Sequence, residues 1–315
     1  MVIDGADDGA GRRRPQLPHP EVMVNPQRPP RRPRSHSAAG ILFGLAMVAV
    51  PAAATLAALG WRPYDADGPA PGAPGPRAAA RGLDDPAKKE IAMQLVASAE
   101  NSSLDWRAQY PYIEDIGDGR GYTAGIVGFC SGTGDMLQLV ENHVRDEPGS
   151  ILARYLPALR AVDGTDSHEG LGPAFERDWR TASEGQPFRR AQDRERDRVY
   201  FDPAVRQGKR DRIGVLGQFI YYDAMVMHGP GEDEESFGGI RAAARASAAP
   251  PADGGAEVAW LHAFLDARVR VMKREEAHSD TSRVDTAQRK FLNEGNLGLD
   301  TPLNWQVYGD SYRID

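Results

Sequence analysis

Asp85-Pro86-Ala87-Lys88-Lys89-Glu90-Ile91-Ala92-Met93-Gln94-Leu95-Val96-Ala97-Ser98-Ala99-Glu100 is the stretch whose reading decides the fold class. Asp85 can cap a helix, Pro86 suits a first turn, and Ile91, Ala92, Leu95, Val96 and Ala99 recur at helical spacing. Asn101-Ser102-Ser103 ends the pattern. Apolar-periodic segments of the same kind follow at 133–146, 150–162, 173–183, 188–200, 203–228, 256–275 and 280–293, separated by turns such as Gly229-Pro230-Gly231. One segment breaks the pattern. From Tyr112 to Phe129 the glycines 117, 119, 121, 125 and 128 forbid a good helix, while Tyr122, Thr123, Ile126 and Val127 favour strands. The expectation is a small hairpin around Asp118-Gly119 in a mainly α (α+β) protein with one small β-sheet. Pro203 to His228 is the longest candidate helix and is expected to join two lobes with a cleft between them.

The chain of 315 residues is 41% apolar and 26% charged, enough to bury a real core. Thirteen of its 24 prolines fall in the first 80 residues, so the folding unit is expected at 82–315. The charge divides at the same place: residues 1–80 carry 9 Lys/Arg against 6 Asp/Glu, and the remainder 29 against 39, a balance of −10. An acidic body disfavours nucleic acid and suits a cationic partner.

Residues 1–61 read as an export region. The basic Arg31-Arg32-Pro33-Arg34 precedes an uncharged apolar run at 38–60, the layout of a cleaved signal, with an uncleaved anchor as the competing reading. Met23 offers a more ordinary start. Residues 62–81 are rich in Pro, Gly and Ala and form a linker or pro-segment that cannot repay ordering by burial. No self-similar repeat follows. The expected product is secreted and monomeric.

A single cysteine, Cys130, excludes an intramolecular disulfide and a Cys-based zinc cluster, and its apolar setting reads as core. The sequence has no Walker loop, dinucleotide fingerprint, His-rich metal pattern or Gly-x-Ser-x-Gly elbow, so no cofactor or metal is expected. Carboxylates remain. Glu100 ends an apolar stripe, where desolvation can keep a carboxyl protonated, and Asp118 sits in a polar glycine turn, where it stays ionised. Those are the two states that acid/base cleavage of a glycosidic bond requires. The bland alternatives are a solvated helix end and an ordinary Asp-Gly turn.

The run Ser98 to Trp106, the run Tyr112-Ile113-Glu114-Asp115-Ile116-Gly117-Asp118-Gly119-Arg120-Gly121-Tyr122-Thr123, and Gly128-Phe129-Cys130-Ser131-Gly132-Thr133-Gly134-Asp135 together resemble the actinobacterial chitosanases of glycoside hydrolase family 46. The resemblance continues through Asp197 to Pro203, Tyr222 to Gly231, Ser236 to Arg241 and Asp280 to Thr286, covering about residues 82–315. It implies a two-lobed, lysozyme-like fold and endo-hydrolysis of chitosan, a β-1,4-linked glucosamine polymer, with inversion. In that pattern Glu100 matches the general acid, Asp118 the general base and Thr123 the hydroxyl that holds the attacking water. An inverting pair should stand roughly 6.5–9.5 Å apart. Asp223, Arg268 and Arg283 match a charged cluster behind the pair, with an interlobe salt-bridge network as the plainer reading. Asp135 and Glu275 match acidic substrate contacts, and Asn101, Tyr112, Arg120 and His228 are further candidates for the cleft wall.

Trp106, Trp179 and Trp305 are expected in the core, Trp260 in a helix and Trp61 in the export region. Arg177, Arg180, Arg189, Arg190, Arg194 and Arg196, interleaved with acids, read as a solvated face, and 242–255 as an Ala/Pro-rich surface loop. Two rival functions remain. A peptidoglycan-cleaving hydrolase is disfavoured by acidic contacts facing an anionic polymer, and a non-catalytic chitosan-binding protein would need no water-holding set.

Overall fold

Helix α1 (Pro86–Asn101) forms where its capping pattern places it: the Asp85 carboxylate accepts the N–H of Ala87 at 3.0 Å, Pro86 opens the first turn, and Ser102 closes the helix in the left-handed region. Its apolar stripe buries Ala92, Met93, Leu95, Val96 and Ala99. The computed structural model describes residues 82–117, 119–274 and 280–315. The export region 1–61 with Trp61, the linker 62–81, Asp118 and Glu275 therefore lie outside the described residues.

Strands β1 (Ile113–Asp115), β2 (Tyr122–Ala124) and β3 (Phe129–Cys130) make an antiparallel sheet in that order, so the expected hairpin exists and gains a third strand. Its register pairs Glu114 with Thr123 and Asp115 with Tyr122. Directly opposed residues share a face, so Glu114 sides with Thr123, and Asp115 with Tyr122 on the other face. Around this sheet pack α2 (Asp135–Asp146), α3 (Leu156–Val162), α4 (Pro173–Glu184) and α5 (Gln186–Arg196). A second group contains α6 (Asp202–Asp211), α7 (Val215–His228), α8 (Phe237–Arg245), α9 (Glu257–Arg274), α10 (Arg289–Asn293) and a C-terminal hairpin of β4 (Leu303–Val307) and β5 (Asp310–Ile314). That hairpin corrects the expectation of one sheet, and α8 shows that the loop expected from 242 begins as helix. All these elements belong to one compact unit.

The helix that joins the two groups is not 203–228. That segment breaks at Arg212, whose φ is +58°, and restarts after Gly214, so that α6 folds back against α7. Gly208 permits the close approach, because a Cβ there would press into the Gln218 side chain. The continuous linker lies one step earlier: α5 runs through a π-helical turn, Asp197–Phe201, directly into α6. There the Asp202 N–H bonds to the Asp197 carbonyl, an i→i−5 bond. With the ladder already widened, Pro203 can follow without its missing N–H breaking the helix.

Helix α7 is buried from Val215 to Met227 and forms the centre of its group. A helix apolar on all sides belongs in an interior, and the single acid it carries, Asp223, is the exception that points to the site.

Candidate active site

Glu100 sits one residue before the end of α1, at the edge of a cavity that is partly open to solvent. Met93, Val96, Ala97 and Asn101 extend the α1 wall, while Tyr112, Arg120, Thr123 and the Gly125–Gly128 turn form the sheet wall. Arg196, Tyr222 and Val226 close it. Of the residues singled out from sequence, Glu100, Asn101, Tyr112, Arg120 and Thr123 are thus brought together. Thr123 is 4% exposed, with its Oγ1 3.5 Å from the Cys130 thiol, which donates to the Gly128 carbonyl at 3.3 Å. Cys130 is core, as expected.

Behind Glu100 lies the charged cluster. Arg283 donates from Nη1 to Glu100 Oε1 at 2.9 Å and from Nη2 to Asp223 Oδ1 at 2.7 Å. Arg268 meets the other Asp223 oxygen at 2.6 Å, and Gln288 Nε2 donates to the same oxygen at 2.6 Å. Arg268, Arg283 and Asp223 are each at most 3% exposed. Burial pushes Asp223 up, but the guanidiniums of Arg283 and Arg268 outweigh it and hold the carboxyl well below its ordinary range. Arg268 is itself pushed down by burial, against the pull of Asp223.

Gln288 was not legible in the sequence, and its placement has a local cause. Residues 283–288 form a π-helical turn, with the Arg289 N–H bonded to the Val284 carbonyl. An i→i+5 turn brings residues five apart to one side, where an α-helix would part them, so both Arg283 and Gln288 reach Asp223.

Five sequence candidates, Asp135, His228, Asp223, Arg268 and Arg283, stand away from the cavity lining. Asp135 begins α2, and its Oδ1 accepts from Cys130 N at 2.9 Å, Thr133 Oγ1 at 2.7 Å and Met136 N at 3.1 Å, tying β3 to the helix. His228, at the end of α7, accepts on Nε2 from Arg268 Nε at 3.2 Å. That nitrogen carries no proton, and the residue extends the buried cluster. Asp223 is linked to Glu100 through Arg283.

The expected solvated arginine face is corrected at Arg196. It is 4% exposed, bonds Asp193 at 3.0 Å and Asp197 at 2.9 Å, and lies over the Trp106 ring while lining the cavity. Acids spaced one and three residues away looked like surface pairing, but here they neutralise a buried cation. Arg194 with Asp146 does remain an exposed pair. Trp106 is mostly buried yet reaches the cavity wall, and Trp179, Trp260 and Trp305 are core, each with its indole N–H satisfied. Among the described residues, no cluster of three or more His, Cys, Asp or Glu could hold a metal.

A mainly α, lysozyme-like body with a helix-end carboxylate at a cavity, backed by buried arginines, has the plan of a glycoside hydrolase. The sequence profile of glycosyl hydrolase family 46 matches residues 94–303. A chitosanase of Streptomyces sp. (strain N174) is 58% identical over 280 residues, spanning 89% of this chain and 98% of its own length. Among solved structures, a chitosanase co-crystallised with substrate superposes with a TM-score of 0.72 at 58% identity, covering 75% of this chain and 100% of that one. A Gynuella sunshinyii family 46 chitosanase in complex with chitotetraose gives 0.66 at 33% identity, covering 72% and 97%. This chain belongs to glycosyl hydrolase family 46, and it is a glycoside hydrolase.

Proposed function

We propose that the protein is a secreted, monomeric endo-chitosanase that cleaves β-1,4 glucosaminide bonds with inversion. Glu100 protonates the leaving oxygen, Asp118 deprotonates a water on the opposite face of the sugar, and Thr123 holds that water. One observation carries the reading: Glu100 and Thr123 line the same cavity from opposite walls, with Glu100 fixed by an arginine whose charge Asp223 already shares. A bare arginine beside Glu100 would favour its ionised form. Asp223 draws on the same guanidinium, so the acid is oriented by Arg283 without facing its full charge. The relatives named above are chitosanases, and the −10 balance of residues 81–315 suits attraction of a polymer with cationic amines. The layout of residues 31–60 supports export.

The test is incubation of the purified protein with soluble chitosan and, in parallel, with peptidoglycan, following reducing ends and the product anomer by NMR. The expected result is α-anomeric oligomers from chitosan alone. β-Anomeric products would remove inversion, and release from peptidoglycan alone would move the protein to wall hydrolysis. Glu100→Gln is expected to lower kcat by about 10²–10⁴ while chitosan binding persists, as measured by titration calorimetry. Unchanged turnover would remove Glu100 as the acid.

A further inference from the structure

The C-terminal hairpin reaches back to both partners of the Glu100–Arg283 bond. From β4, Trp305 Nε1 donates to Ser98 Oγ at 3.0 Å, two residues before Glu100. The Gln306 carbonyl accepts from Thr286 Oγ1 at 2.6 Å, and the Tyr308 N–H donates to Ser282 Oγ at 2.9 Å, one residue before Arg283. Val307 pairs with Asp310, so Tyr308 and Gly309 are the two turn residues, with φ of +53° and +89°. A two-residue hairpin turn with both φ positive favours Asn-Gly, and a tyrosine in its first position goes against that preference. The side chain it places there is half-buried against the core. Burial pushes its hydroxyl above the ordinary range, the charge of Arg283 opposes this, and Glu100, Asp280 and Asp223 add to it, so the phenol stands among the charges of the acid and its arginine.

We propose that Tyr308 is a positioning residue for Glu100, its ring covering the Glu100–Arg283 pair from the tip of the hairpin so that the carboxyl keeps its aim into the cavity. The inference rests on the reading of Glu100 as the acid. Arg283 uses Nη1 for Glu100 and Nη2 for Asp223, and its buried Nε has no hydrogen-bond partner among the described residues. No third bond fixes the guanidinium, so its plane depends on what packs around it. The Glu100 side chain is 17% exposed and that of Arg283 2%, which leaves the pair largely dry. A charged hydrogen bond kept from water is stronger and more closely directed than one in solvent. An aromatic ring on a hairpin tied at Ser98, Ser282 and Thr286 is a rigid cover for it. The unfavourable turn residue is thus matched by what its side chain does at the site.

The test measures kcat and KM on a soluble glucosamine hexamer, together with the thermal midpoint, for the wild-type protein, Tyr308→Asn and Tyr308→Phe. Asparagine suits the turn and removes the cover, so Tyr308→Asn is expected to keep its midpoint close to wild type while kcat falls about tenfold and KM holds. Tyr308→Phe keeps the ring and should restore most of kcat. Near-wild-type turnover in Tyr308→Asn, a fall in kcat that only follows a fall in the midpoint, or a Tyr308→Phe as slow as Tyr308→Asn would each overturn the proposal. Tyr308→Gly, which also accepts the positive φ, repeats the measurement if the asparagine variant misfolds. Glu100→Gln and the double variant Glu100→Gln with Tyr308→Asn complete a cycle. A residue that acts through Glu100 adds no further loss once that carboxyl is gone, whereas a loss of equal size in both backgrounds would mark plain packing and overturn the positioning role. The same cycle separates the two readings: if Glu100→Gln retains turnover, the acid assignment falls, and if it loses turnover while Tyr308→Asn does not, this inference alone falls.

Discussion

The two walls of the cavity are built on opposite principles. On the Glu100 side, a helix end is held by side chains: Arg283 is shared between Glu100 and Asp223, and Arg268 and Gln288 complete a cluster drawn from α7, α9 and the 283–288 turn. On the Thr123 side the shape comes from backbone. Gly117, Gly119 and Gly121 all take positive φ, and the short strands are fixed by ladder bonds and by Asp115 on Gly117. A buried ionic cluster ties Glu100 to α7, α9 and the 283–288 turn. A glycine turn lets the opposite wall change with little effect on the rest.

Breaking the cluster should therefore have the largest consequence. Asp223→Ala removes the carboxylate shared by two buried guanidiniums, leaving Arg283 with Glu100 alone, and is expected to cost about 3–5 kcal/mol of stability, read as a lowered denaturation midpoint in urea, together with most activity. A loss under 1 kcal/mol would show that the cluster is not coupled to folding. On the other wall, Gly121→Ala requires φ of +68° from a residue with a Cβ, which would collide with Ser131 Oγ. About 1–3 kcal/mol is expected, with kcat falling further than the thermal midpoint. Gly119→Ala meets no atom within 4 Å, so only the left-handed backbone, φ +77°, opposes it, at about 1 kcal/mol. If the two alanines behaved alike, steric crowding at Gly121 would be irrelevant.

The same contrast appears in acid. The Asp223 carboxyl lies below the value it has in the unfolded chain, so its stabilisation is present above about pH 4 and is lost as pH falls toward the folded value. The wild-type midpoint should drop more steeply between pH 4 and pH 2 than that of Asp223→Asn, by the uptake of about one proton. The smallest effect belongs to the exposed Arg194–Asp146 pair, where Arg194→Ala should change stability by less than about 1 kcal/mol.

Legibility followed the same divide. The capping of α1, the hairpin and the buried Cys130 were readable because each depends on residues near one another in sequence. The linking helix was misplaced because apolar periodicity runs straight through 203–228, while Arg212 turns the chain with a backbone angle that arginine does not advertise. Arg196 was misread because local acids signal pairing but not burial. Gln288 had no signal, since its role depends on a π-helical turn that no periodicity announces.

The sequence by itself determined the class of the body, the positions of Glu100 and Thr123 on a helix end and a strand, and the family, because capping, period and ordered motifs are local properties. The resemblance anticipated a cluster of Asp223, Arg268 and Arg283 behind Glu100; tertiary structure alone decided that Gln288 joins it and how each bond is shared, since these contacts join segments up to 183 residues apart. It also decided which arginine is buried. Burial is set by what packs across a surface, and the neighbours of a residue in the chain do not specify it.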